Sequence, residues 1–311
     1  MKKIVFLDEY SIAGRDLTKI TSLGNYVAYE NTPKEAVVER LKGADVAITN
    51  KVVIDGEAMR QLPDLKLICV AATGMNNVDL ETAKELGIEV KNAVGYSTTS
   101  VAETTIASAL ALARNIVYFD EYFHDGRYAK ADRAFCYDRL TFEIRGKRWG
   151  IIGLGNIGRE VARLASAFGC EVRYFSTSGA KREEAYPAME LDELLAWSDI
   201  VSVHSPLNER TRGLVGRAEL QKMKPSSIII NVARGGIIDE AALAEALNSG
   251  WVAAAALDVF SVEPLRESPL YDVKDRYRLL ASPHNAWSAA EAIDRLIECV
   301  AQNIITWLAK E

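Results

Sequence analysis

The sequence predicts an α/β protein built from two doubly wound parallel-sheet domains, one inserted into the other. Three observations predict it. Short β-branched runs alternate with amphipathic helical stretches twice along the chain, the rhythm of parallel strands joined by helical crossovers. A glycine-rich turn, Gly153 to Gly158, falls between a strand and a helix near the start of the second alternation. Two long helical segments, Ser97 to about Phe123 and Ala289 to Lys310, lie at the seams, so the C-terminal helix is expected to return to the first domain. The expected division is 1–97 plus 286–311 for the first domain and 98–285 for the second.

In chain order, KIVFLD, NYVAYE, DVAITN, LKLICVA and IEVKN read as strands, with PKEAVVERLKG and DLETAKELG as helices among them. RWGIIGLG opens the second series, which continues through CEVRYF, DIVSVHS, SIIINVA, VAAAALDVF and RLLASP. The polar stretch from His124 to Arg145, dotted with aromatic residues, has weak periodicity and is expected to form a dimer arm.

Bulk properties narrow the function. A chain of 311 residues, 49% hydrophobic and 26% charged, can bury two cores. Its net charge of -6, with no basic tract, argues against nucleic acid and against an anionic membrane surface. MKKIVFLDEY has too few apolar residues for a signal-peptide core, and ETTIASALALARNIVYF is too short and too charged for a membrane span. A cytoplasmic protein acting on a small molecule is therefore expected. Cys69, Cys136, Cys170 and Cys299 show no CxxC spacing; they are expected to be reduced structural thiols, with no bound metal.

Gly153-Leu154-Gly155-Asn156-Ile157-Gly158 fits GxGxxG between a strand and the helical stretch REVARLASAFG. Gly153 allows the tight turn, Gly155 the approach of a pyrophosphate, and Gly158 the close packing of helix on strand. The helix N-terminus offers N–H groups and partial positive charge to phosphates. A dinucleotide site normally ends its second strand with Asp or Glu, which bonds the ribose 2′-OH of NAD. Here the strand ends at Phe175 and Ser176-Thr177-Ser178 follow, with Lys181 and Arg182 shortly beyond. Hydroxyls and cations in place of a carboxylate favour NADP, with NAD as the alternative.

NVARGGIIDE, ALDVFSVEP and SPHNAW each follow a strand, which puts Arg234, Glu263 and His284 on loops past strand ends. Ligands bind open α/β sheets at that edge. A guanidinium offers a planar, permanently charged fork to an anionic ligand, which suits Arg234. An imidazole titrates near working pH and can exchange a proton with a ligand, which suits His284. A carboxylate beside the imidazole orients it and favours its protonated form, which suits Glu263. His204 carries no accompanying carboxylate motif and is read as structural or cofactor-adjacent.

The ordered set GLGNIG, HSPLNERTRGLV, NVARGGIIDE, DVFSVEP and SPHNAW resembles the D-isomer-specific 2-hydroxyacid dehydrogenase family over nearly the whole chain. The resemblance implies a Rossmann cofactor domain inserted into a flavodoxin-like substrate domain, Arg234, Glu263 and His284 as the catalytic residues, and a homodimer. Cofactor contacts are implied at the glycine turn and at Ser205, Pro206, Thr211, Val232, Ala233, Arg234, Asp258 and His284. For the substrate, the resemblance implies backbone N–H groups around Thr73, Gly74 and Met75, with Arg234 and His284; Lys51 and Trp287 join them as candidates. Family members often carry His where this chain has Thr104, and the hydroxyls of Thr104 and Thr105 are taken as contacts instead.

Trp287 after the histidine loop and YSTTSVAE before the long helix resemble the glycerate dehydrogenase or hydroxypyruvate reductase branch. Hydroxypyruvate is then the expected substrate and glyoxylate a smaller one, with D-lactate or 3-phosphoglycerate as alternatives. The first domain shows no arginine-rich phosphate pocket. A dinucleotide-sensing corepressor shares the fold and the three residues; turnover with a 2-keto acid separates the enzyme from the sensor.

Overall fold

The computed structural model describes residues 1–179 and 184–310. Lys181 and Arg182, expected at the cofactor, lie outside the described residues. The chain divides into two compact units, 1–97 with 288–311, and 98–287.

The first unit carries β1 (Lys3–Phe6), β2 (Asn25–Ala28), β3 (Val46–Thr49), β4 (Leu67–Val70) and β5 (Glu89–Asn92), all parallel in the order β2-β1-β3-β4-β5. This is the flavodoxin-like order, with its switch point between β1 and β3. Strands β3 and β4 are buried at every residue, as parallel strands covered on both faces must be. The helices are α1 (Thr18–Thr21), α2 (Val37–Leu41), α3 (Gly56–Arg60) and α4 (Leu80–Glu85), of which α3 and α4 are capped by Asp55 and Asp79.

The second unit opens with α5 (Thr98–Ala113) and α6 (Ile116–His124). The sequence suggests one helix here, but Asn115 adopts a left-handed conformation, φ 49°, and breaks it. Asparagine tolerates that region better than most residues. Then come β6 (Arg148–Ile152), α7 (Asn156–Ala167), β7 (Glu171–Phe175), α8 (Leu191–Trp197), β8 (Ile200–Val203), α9 (Arg217–Lys222), β9 (Ile228–Asn231), α10 (Glu240–Ser249), β10 (Ala254–Leu257) and β11 (Leu279–Ala281). The six strands are parallel in the order β11-β10-β9-β8-β6-β7. Beyond β7 a parallel bridge pairs Tyr174 with Ala188, through Tyr174 N–H to Pro187 and Met189 N–H to Tyr174. That bridge stands where the outermost strand of a 3-2-1-4-5-6 dinucleotide sheet would lie.

The chain returns to the first unit through α11 (Ala290–Leu308), which buries Ile293, Leu296, Ile297, Val300, Ile304 and Trp307 at helical spacing. Arg15 pairs with Asp294 and Lys19 with Glu298, fastening that helix beside α1. The four cysteines are unpaired, with Cys69 and Cys170 buried. Among the described residues no helix is long and apolar enough to cross a membrane.

Candidate active site

In the second unit the sheet reverses order between β6 and β8, and the glycine turn leaves β6 at that point. Gly153 has φ 92°, and a Cβ on Gly158 would strike the Gly153 carbonyl oxygen. Gly155 is the N-cap of α7 and supplies no side-chain cap. The first-turn N–H groups of that helix therefore face outward without intrahelical partners.

Gly153, Leu154 and Gly155 line a groove of about 210 Å³ together with Tyr174, Ser176, Thr177, Ser178, Glu184, His204, Ser205 and Pro206. Asn156 and Ile157 form the first turn of α7 beside it. Two features of the groove fit a dinucleotide. A Cβ on Gly155 meets nothing within 4 Å, so the backbone there borders open space. The Ser205 hydroxyl and the His204 Nδ1 are buried, and neither has a hydrogen-bond partner among the described residues. No carboxylate follows β7 directly, since Ser176 occupies that position.

The His204 tautomer follows from its neighbours. Trp149 donates its Nε1–H to the Ser202 hydroxyl at 2.9 Å, and that hydroxyl lies 2.9 Å from His204 Nε2. The serine hydrogen satisfies every partner when it is given to Nε2, which leaves the imidazole proton on Nδ1. Burial pushes the His204 pKa down to about 3, so the ring stays neutral at physiological pH. This supports the cofactor-adjacent reading of His204 and makes its Nδ1–H an orphan donor at the groove.

Arg234, Glu263 and His284 stand on loops after β9, β10 and β11, three neighbouring strands whose C-terminal ends lie on one edge. His284 Nδ1 lies 2.7 Å from Glu263 Oε2, and Glu263 Oε1 accepts the Phe260 N–H at 3.0 Å. A carboxylate only accepts, so His284 carries a proton on Nδ1 and its Nε2 takes no part in that pair. The His284 side chain is 22% exposed and that of Glu263 30%, so the pair is shielded yet reachable.

Backbone chemistry fixes these loops. Asn231 accepts the Ala233 N–H and donates to the Arg234 carbonyl, while Arg234 Nη1 donates to the Ala233 carbonyl. Gly235 is pressed against the loop after β10: a Cβ there would collide with the backbone of Phe260 and Ser261. Val232 is buried and Ala233 half-buried in the same loop.

Three residues expected at the cofactor are buried and make hydrogen bonds within the second unit. Asp258 is 2% exposed, and its carboxylate accepts the Ser282 hydroxyl at 2.6 Å, the Asn285 N–H at 2.8 Å and the Ala286 N–H at 2.8 Å. These bonds tie down the loop in which His284 adopts φ 56°. Thr105 is fully buried in α5 and donates to the Val101 carbonyl, because its position faces the core side of the helix. Thr211 is fully buried too, donating to the Pro206 carbonyl and accepting the Asn208 N–H. Thr104, by contrast, donates to Ser100 and lies 3.5 Å from the Ala286 carbonyl, which also accepts from the Ser100 hydroxyl. Trp287 packs half-buried against the core of this unit.

In the first unit the loop after β4 carries Thr73, Gly74 and Met75. The Thr73 hydroxyl donates to Ala93 and Asn92 donates to the Thr73 carbonyl, while the backbone N–H groups of Thr73, Gly74 and Met75 have no protein acceptor among the described residues. Lys51 lies just past β3, where the buried Asp8 carboxylate accepts the N–H groups of Asn50, Lys51 and Val52 at 2.6–3.1 Å. Burial raises the Asp8 pKa, and those hydrogen bonds oppose the rise. Sequence reading missed Asp8; the signal was an acidic residue directly after an apolar strand.

A switch-point groove with buried polar atoms left unpaired and a histidine–carboxylate pair on the same strand-end edge are features a nicotinamide-dependent oxidoreductase needs. Residues 106–286 match the family model of the D-isomer specific 2-hydroxyacid dehydrogenase NAD binding domain. The chain is 37% identical to a glycerate dehydrogenase of Methylorubrum extorquens, over 99% of this chain and 96% of that one. It is 36% identical to a hydroxypyruvate reductase of Blautia hydrogenotrophica, over 98% and 97%. Among solved structures it is similar to an acyclic imino acid reductase in complex with NADPH and D-Arg, with TM-score 0.86, 29% identity and coverage of 99% and 97%. The chain belongs to the D-isomer-specific 2-hydroxyacid dehydrogenase family.

Proposed function

We propose that this protein reduces a small 2-keto acid to the D-2-hydroxy acid, with hydroxypyruvate as substrate, glyoxylate as a smaller alternative, and NADP preferred over NAD. The 2.7 Å contact between His284 and Glu263 carries the reading, because it leaves one imidazole nitrogen to serve the substrate oxygen. The names of the relatives support the substrate class, and Ser176 in place of a carboxylate supports NADP.

The Gly153–Gly158 turn, with Ser205 and Pro206 along the groove, would hold a reduced nicotinamide cofactor, which would supply the hydride. Arg234 holds the carboxylate and keto oxygen of the substrate through its planar fork. His284 gives its Nε2 proton to the oxygen as the alkoxide develops, and Glu263 stabilises the ring in its charged form. Asp258 holds the histidine loop in place. The second unit acts as the cofactor domain in this reading and the first as the substrate domain.

The working form in this reading is a cytoplasmic homodimer. Phe135, Tyr137 and Leu140, in the expected arm, are 74%, 78% and 82% exposed, which is much apolar surface for an isolated subunit to leave in water. The four unpaired cysteines accord with a reducing compartment. Initial rates with NADH and NADPH against hydroxypyruvate, glyoxylate, pyruvate and 3-phosphohydroxypyruvate test substrate and cofactor together. Highest kcat/KM with hydroxypyruvate and NADPH is expected; a larger value for another pair reassigns whichever component differs.

A further inference from the structure

The groove at the end of β7 holds a charge problem. Glu184 lines it, and a carboxylate there would repel the 2′-phosphate of NADP. Arg159, in the first turns of α7, grips both Glu184 oxygens in a bidentate pair, so the two charges cancel locally. Among the described residues, a further cation at this rim would attract the phosphate.

Arg210 is such a cation. It sits on the loop after β8, and its Nη1 donates to the Ser178 carbonyl at 3.2 Å, which brings the guanidinium to the rim formed by Ser176, Thr177 and Ser178. Arg210 is exposed and forms no ion pair among the described residues. Its position is built rather than incidental. Asn208 Oδ1 accepts the N–H groups of Arg210 and Thr211 at 2.9 and 3.2 Å, and the buried Thr211 hydroxyl ties the turn to Pro206. A guanidinium has five N–H donors, and the Ser178 carbonyl uses one.

We propose that Arg210 is a specificity-determining residue that binds the 2′-phosphate of the cofactor, across the rim from the hydroxyls of Ser176 and Ser178. The inference rests on the NADP reading above and deepens it.

The test measures binding without turnover. The full-length protein and its Arg210→Ala variant are titrated calorimetrically with adenosine 2′,5′-bisphosphate and with 5′-AMP, which differ by the 2′-phosphate alone. The wild type should bind the bisphosphate at least about tenfold more tightly, and Arg210→Ala should lose roughly tenfold or more for it while 5′-AMP stays within about twofold, the scale of one charge-assisted hydrogen bond. A wild type that prefers the bisphosphate, with the preference unchanged in Arg210→Ala, overturns the inference and leaves the NADP reading standing. Equal losses for both ligands reduce Arg210 to a structural tie and overturn it as well. A wild type that binds 5′-AMP as tightly overturns the NADP reading and the inference together, and assigns Glu184 to the ribose hydroxyl.

Discussion

Replacing Glu263 with glutamine changes little in shape and much in hydrogen bonding. Two neighbours of the carboxylate are donors: the Phe260 N–H at 3.0 Å and His284 Nδ1 at 2.7 Å. The amide has one oxygen and one NH2 group, so if the oxygen stays with the rigid backbone donor, the NH2 faces His284. Nδ1 must then accept, and the ring is held neutral with its proton on Nε2, a far weaker acid than the imidazolium. A hydrogen bond to a charged group contributes about 1.5–3 kcal/mol. With the pair 22% and 30% exposed, the lower half of that range applies. At about 1.4 kcal/mol per tenfold, Glu263→Gln should lower kcat roughly 10- to 40-fold. The loss belongs to the proton-transfer step, so KM should stay within about twofold. Steady-state oxidation of reduced cofactor with hydroxypyruvate reads both constants. A folded Glu263→Gln protein with kcat within about twofold of wild type would refute the role given to the pair.

Other expectations follow from the same geometry. Ser176→Asp should weaken NADPH binding at least about tenfold more than NADH, measured by fluorescence titration; equal effects would make the segment an ordinary turn. Gly235→Ala should destabilise the second unit by about 1–3 kcal/mol in urea unfolding, because the added Cβ meets backbone at Phe260 that cannot move aside; an unchanged midpoint would show that the loops are not locked together. His204 stays neutral in the fold to about pH 3 but protonates near 6.5 when unfolded. Between those values the unfolded chain binds the extra proton, so stability falls as pH drops from 6.5 toward 3, by at most about 1.4 kcal/mol per pH unit. His204→Asn should flatten that part of the stability–pH curve, and parallel curves for both proteins would contradict the burial argument.

The architecture was legible because parallel strands covered on both faces are written as unbroken apolar runs, such as SIIINVA and LKLICVA. Arg234, Glu263 and His284 were legible because each follows such a run, and parallel topology puts every such loop on the same edge. Less could be read where tertiary contacts decide. The break at Asn115 depends on one residue in a left-handed conformation. The outermost position of the second sheet is reduced to the bridge at Ala188, too short to leave a pattern. Thr105 and Thr211 resemble polar contacts in sequence, yet both are buried among their own loops and helices. Asp258 follows its strand much as the functional residues follow theirs, and its partners Ser282, Asn285 and Ala286 become visible in three dimensions. Arg210 reaches Ser178 at the rim, and Glu184 reaches the groove, from separate loops, 32 and 25 residues away in sequence from the partners they hold.

The central claim is hydride delivery to C2 of a keto acid with protonation by His284 and a D product. The most direct measurement supplies hydroxypyruvate and reduced cofactor carrying deuterium at the transferable C4 position, then locates the label by NMR and resolves the product by chiral chromatography. D-glycerate bearing deuterium at C2, formed by the wild type and lost in His284→Ala, is the predicted result. Product of L configuration, glycerate without the label at C2, or undiminished transfer by His284→Ala would contradict it.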